Sequence, residues 1–135
     1  MVRTLLVVAV VALVVPVSAQ AALSFAFDRA QARLDWAMPA EQLERAVRAF
    51  APAPSAFTTL GSRVLKVHRA VAEQDVEPTR PPGTVLESGP GGIWVSTGAG
   101  RLRLVELQLE GRRRLSVADF LAGHPVPPGT CLGAG

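Results

Sequence analysis

The longest apolar run in the chain comes first, at residues 5–15, and nothing later matches it. Arg3 precedes it, Pro16 ends it, and Ala19-Gln20-Ala21 follows with the small-x-small spacing of a cleavage site before Ala22. Residues 1–22 therefore read as an apolar leader of the secretory type, too short for a standard transmembrane helix. A mis-started reading frame in GC-rich DNA produces the same texture, so both readings stand. Residues 23–38 have mixed character and are expected to be a lead-in linker, at most weakly helical. Trp36 is expected to anchor that linker on the domain behind it.

The pattern changes at Pro39. In residues 39–50, Leu43, Ala46, Val47 and Phe50 recur at helical spacing, and proline suits the first helical turn. Glu41/Arg45 and Glu44/Arg48 have the acid four residues ahead of the base, the favoured order on a helix face. Ala51-Pro52-Ala53-Pro54 ends the helix. Short strands follow. Ala56–Leu60 and residues 63–71 flank Gly61-Ser62, a two-residue hairpin signal. A proline- and acid-rich loop spans 73–82, strands are expected at 83–87 and 93–97 around "SGPGG", and "TGAG" turns the chain into a strand at residues 101–109. That last strand changes phase. Leu102 and Leu104 share one face, whereas Val105, Leu107 and Leu109 share the other. Strand period is two, so either a bulge lies near Leu104 or both faces are buried over part of the length. Residues 116–122 read as a second helix, with Ser116 as N-cap, Asp119 at the third position, Leu115 and Phe120 at the staple positions, and Gly123 as terminator. Residues 130–132 allow one short closing strand. The sum is mainly β with flanking helices: a small, partly open OB-like β-barrel preceded by one helix.

Charge and chemistry narrow the function classes. The chain has 135 residues, 14 cations against 11 acids, and a net charge of +3. All the cations but Lys66 are arginines, the better fork for phosphate, although GC-rich coding gives the same bias. One cysteine permits no internal disulfide, and with two histidines the chain has no standard metal-ligand set. His68 and His124 read as surface or half-buried side chains, and Cys131 as a small buried one, rather than as a base or nucleophile. No acid–base or nucleophile constellation is visible, and none of the glycine clusters fits a phosphate-cradling loop. Positive charge is the remaining signal. Arg112, Arg113 and Arg114 fill the turn between strand and helix, Arg101 and Arg103 alternate at the start of that strand, and Lys66 lies in a central strand, with Arg63 and Arg69 expected on its opposite phase. Such a patch suits a phosphate backbone. With no tyrosine and only Trp94 in the barrel, backbone tracking is expected over base stacking.

"ARLDWAMPAEQLERAVRAF" followed by "APAPSAFTTLGSRVLKVHRA", then "GTVLE", "GGIWVSTGAGRLRLVELQLEGRRRLSVADFLAGH" and "PPGTCLG", resembles the carboxy-terminal domain of methionyl-tRNA formyltransferase. The resemblance runs over residues 24–133, with the blocks in order and in register. It implies an OB-like barrel that holds initiator Met-tRNA by largely non-specific electrostatic contacts while a separate catalytic domain transfers the formyl group. It further implies that Lys66, Arg112, Arg113 and Arg114 meet RNA, and the charge pattern adds Arg101 and Arg103 to the expected RNA-binding set. The chain departs from the pattern at Ala51–Pro54, where Asn-Pro-Trp-Pro is usual, at His68 in place of tryptophan, and at Cys131 in place of a basic residue.

By this reading residues 1–22 are the leader, 23–38 the linker and 39–135 the formyltransferase C-terminal-like barrel. No counterpart of the catalytic domain is legible, so a fragment inactive alone is expected. No cofactor is expected in this chain, because 10-formyltetrahydrofolate would belong to the catalytic domain. The expected partners are tRNA and a separate catalytic domain, with neither metal nor disulfide partner. The expected location is cytoplasmic by resemblance, or exported through residues 1–21. The competing reading is a small exported β-barrel binding module unrelated to tRNA, and a complete enzyme with unrecognised chemistry ranks last.

Overall fold

Residues 32–51 and 53–134 are described in the computed structural model, and the apolar leader and the linker as far as residue 31 lie outside them. Helix α1 spans Ala40–Phe50, with Pro39 extended at its N-cap. Its apolar spacing becomes a buried face of Ala40, Leu43 and Val47. Glu41 pairs with Arg45 as the spacing requires. The expected Glu44–Arg48 pair does not form. The Glu44 carboxylate instead accepts a hydrogen bond from the Ala72 backbone N–H at 3.2 Å, tying the helix to the sheet.

Among the described residues, six strands follow: β1 (Ala56–Leu60), β2 (Arg63–Glu73), β3 (Val85–Gly89), β4 (Gly92–Ser96), β5 (Arg101–Leu109) and β6 (Leu115–Ser116). They form one antiparallel sheet in the order β1-β2-β5-β4-β3, with β6 added on β5. The Gly61-Ser62 turn closes the first hairpin with Leu60 opposite Arg63, and Gly61 supplies the positive φ of 62° that the tight turn demands. The second hairpin differs from expectation. Its strand starts two residues later and runs through Ser88 and Gly89, because Gly89 pairs with Gly92 and leaves only Pro90 and Gly91 as the turn.

The phase change in β5 is resolved by bulges. Val67 pairs with Leu107, Arg69 with Glu106 and Ala70 with Leu104, so His68 on β2 and Val105 on β5 are each left without an opposite residue. Leu102, Leu104, Leu107 and Leu109 can then all face the core, each at most 3% exposed. The bulge also corrects the expected phase of Arg69. One extra residue at His68 turns Arg69 to the outer face, opposite Glu106, while Lys66 stands opposite Gln108 on that same face.

The tail bridges the two edges of the sheet. Leu132 bridges Leu60 and Cys131 bridges Thr84, with Val85 N–H donating to the Thr130 carbonyl and Gly133 N–H to that of Thr59. These are single bridges rather than a ladder, so the sheet is not closed and the barrel is partly open. Leu132 takes the inward position, which leaves Cys131 exposed and corrects its expected burial. Residues 32–38 are woven into the barrel. Phe57 exchanges backbone bonds with Ala32 and Leu34, and buried Trp36 donates its Nε1–H to Thr58 Oγ1 at 3.0 Å. The tight approach of the β4–β5 turn to this segment explains Gly98: a Cβ there would lie 1.8 Å from the Ala37 carbonyl oxygen. Helix α2 (Val117–Gly123) closes the fold, its N-cap Ser116 accepting from Asp119 N–H and its end sealed by His124 N–H donating to the Phe120 carbonyl. Gly123 is thus the last helical residue rather than the terminator beyond it.

Candidate nucleic-acid interface

The expected cationic residues fall into two groups at opposite ends of β5. That strand has 9 residues, so at the usual strand rise the groups are roughly 25 Å apart.

At the first end Arg101 and Arg103 are engaged within the molecule. Both project from the outer face, where Arg101 lies opposite Glu73 and Arg103 opposite Val71 and Trp94. Glu73 takes the Arg101 Nε–H at 2.7 Å and the Trp94 Nε1–H at 3.0 Å, with Arg103 Nε at 3.7 Å. Arg101 also lies 3.7 Å from Glu87, and its guanidinium covers the Trp94 ring at 5.6 Å from the centroid. Burial pushes the Glu73 carboxyl up, but the hydrogen bonds from Trp94 and Arg101 and the charges of Arg101 and Arg103 outweigh it, holding the carboxyl below its ordinary value of 4.5. Glu73 and Glu87 therefore balance the two arginines, and this corner offers a polyanion little unneutralised charge.

The second end is different. Glu110 N–H donates to the Val64 carbonyl, which brings the turn at residues 110–114 against the start of β2. Lys66 faces outward opposite Gln108, and Gln108 donates its side-chain N–H to the Arg112 carbonyl at 2.7 Å. The other end of the Gln108 amide meets His68 Nε2 at 2.7 Å. With Gln108 Oε1 as acceptor, His68 donates from Nε2, so bulged histidine, glutamine and arginine turn form one hydrogen-bonded chain. Arg114 is held by the Glu106 carboxylate. Lys66, Arg69, Arg112 and Arg113 form no ion pair among the described residues. Glu106, which holds Arg114, and Glu110 are acids on this side, and Asp119 follows at the start of α2, where its N–H donates to Ser116 opposite Glu106. The structure thus places the turn of Arg112, Arg113 and Arg114 beside Gln108, the residue opposite Lys66, and sets Arg101 and Arg103 at the other end of β5. Arg69 was missed because its face depends on a bulge that strict alternation cannot show.

Beside the turn lies a pocket of about 140 Å³ between β5 and α2, lined by Leu109, Arg112, Arg113, Leu115, Phe120 and His124. His124 stacks on Phe120, with ring centroids 5.1 Å apart and planes at 27°. Among the described residues no group of three or more His, Cys, Asp or Glu could hold a metal ion, and no helix is long and apolar enough to cross a membrane.

Methionyl-tRNA formyltransferase of Myxococcus xanthus is 53% identical over 103 residues, covering 76% of this chain and 32% of that protein. The enzyme of the same name from Thiobacillus denitrificans is 50% identical over 107 residues, covering 79% of this chain and 35% of that one. The chain thus spans about a third of the length of these relatives. Among solved structures, HypX from Aquifex aeolicus, crystallised with tetrahydrofolic acid, superimposes with a TM-score of 0.59 at 19% identity, over 74% of this chain and 18% of that one, a likeness of fold. Residues 27–125 match the family model described as "Formyl transferase, C-terminal domain", and the chain belongs to that family.

Proposed function

We propose that this chain is a tRNA-binding domain of the methionyl-tRNA formyltransferase type, which holds initiator Met-tRNA by its phosphates during formylation in translation initiation. The observation that carries the reading is that Lys66 and Arg69 on the outer face of β2, and Arg112 and Arg113 in the turn that Gln108 ties to that face, form no ion pair among the described residues. Guanidinium and ammonium groups placed this way displace counterions from a phosphate backbone and fix its position without reading sequence. Lys66, Arg69, Arg112 and Arg113 are the principal contacts. Arg101, Arg103 and Arg114 are secondary, because binding phosphate there competes with Glu73 or Glu106. The formyl transfer itself, with a folate as donor, belongs to a catalytic domain that the relatives' greater length accommodates, and the chain works in the cytoplasm beside it. The leader-directed exported module has no support in these relatives, all named as formyltransferases.

Filter-binding of the full chain to tRNA over a series of salt concentrations tests the proposal. About three to six phosphate contacts give a log–log slope of roughly −3 to −5. Absence of binding at low salt, or affinity indifferent to salt, overturns it.

A further inference from the structure

We infer that the pocket beside the arginine turn seats one unstacked base of the bound RNA, an inference that rests on the tRNA-binding reading above and adds a contact which backbone tracking does not require. Its floor is apolar: Leu109 is 3% exposed and Phe120 2%, and half-buried Leu115 lies beside them. His124 lines the pocket with its ring braced in a stack against Phe120, so the imidazole is a fixed planar surface rather than a free side chain. Arg112 and Arg113 supply the remaining wall, and these exposed guanidiniums have no acid partner among the described residues.

The chemistry selects the ligand. At about 140 Å³ the pocket is well below the roughly 300–1,000 Å³ of sites that enclose a whole small molecule. It has room for a single flat ring, and the attached sugar and phosphate stay outside, where the two arginines stand. An apolar floor, a braced aromatic and planar guanidiniums suit a heteroaromatic ring. A cationic rim suits a ring carried on an anionic strand. Together they describe a nucleotide at a single-stranded or flipped-out position. Because the floor has no polar side chain, the pocket recognises stacking rather than base edges and tolerates any base. The absence of tyrosine pointed away from base stacking, but the stack is assembled from Phe120 on α2 and His124 at its C-cap, four residues apart.

The test compares two strands of equal length on the full chain by fluorescence anisotropy: a short oligouridylate, and its wholly abasic counterpart with an identical backbone. The wild-type chain binds oligouridylate about five- to tenfold more tightly than the abasic strand. His124→Ala, which removes the stack, and Leu115→Trp, which fills the pocket, each erase that advantage and leave affinity for the abasic strand unchanged. Equal affinity of the wild-type chain for the two strands overturns the inference whatever the variants do, and leaves the tRNA-binding reading intact. An advantage that survives both variants also overturns it. Competition by polyglutamate as strong as that by oligouridylate overturns it in favour of an acidic peptide. If neither strand nor tRNA binds the wild-type chain, the tRNA-binding reading fails and the inference fails with it.

Discussion

Glu73 decides which arginines are free. Its carboxylate holds Arg101 and the Trp94 indole directly and lies within reach of Arg103, and these groups keep it ionised below the ordinary carboxylate value of 4.5. A carboxyl whose folded pKa is depressed contributes stability that is fully present above the unfolded pKa and is lost as pH falls through the folded pKa. Chemical denaturation of the wild-type chain across an acid series is therefore expected to show stability falling below about pH 4.5, and Glu73→Gln to lower stability at neutral pH while flattening that acid limb. An acid limb of unchanged slope in the variant removes Glu73 from the account. None of this was legible from residue order. Glu73 reads as one acid of a proline-rich loop, whereas it ends β2 and meets a partner 28 residues away. Arg69 shows the same limit, because its outward direction depends on the bulge at His68.

At the scale of elements, local signals were the readable ones. Helix α1, the Gly61-Ser62 hairpin, β5 and the Ser116 cap all follow from residues within a few positions of one another, and the structure has them where the pattern places them. Strand β3 shifted because the choice between turn and strand within "SGPGG" is made by pairing with β4 rather than by composition. Ser116 permits a direct measurement. Its Oγ accepts the Asp119 N–H at the start of a seven-residue helix whose Phe120 lies at the core. Ser116→Ala is expected to cost about 1 kcal/mol in urea denaturation, with the fold retained. A cost near zero would mean that packing of Val117 and Phe120 holds α2 without its cap.

At the scale of the whole molecule, the arrangement of charge matters more than its sum. A net charge of +3 is modest, yet Lys66, Arg69, Arg112 and Arg113 at one end of the β2–β5 pair form no ion pair among the described residues, whereas Arg101 and Arg103 at the opposite end of β5 are balanced by Glu73 and Glu87. Arg112→Ala/Arg113→Ala is therefore expected to weaken tRNA binding and reduce the magnitude of the salt slope by about two, while Arg101→Gln/Arg103→Gln changes it by less than about one. Equal losses from the two pairs would extend the footprint across the sheet and refute the division. By itself the amino-acid order determined the class of fold, the helices, the Gly61-Ser62 turn and the excess of arginine, because backbone preference and apolar period act over neighbouring residues. Which cations stand free, where Arg69 points, and that Phe120 and His124 meet Arg112 and Arg113 around a pocket were decided only by tertiary structure. Charge pairing and cavity shape depend on strand register and bulges, which bring together groups far apart along the chain.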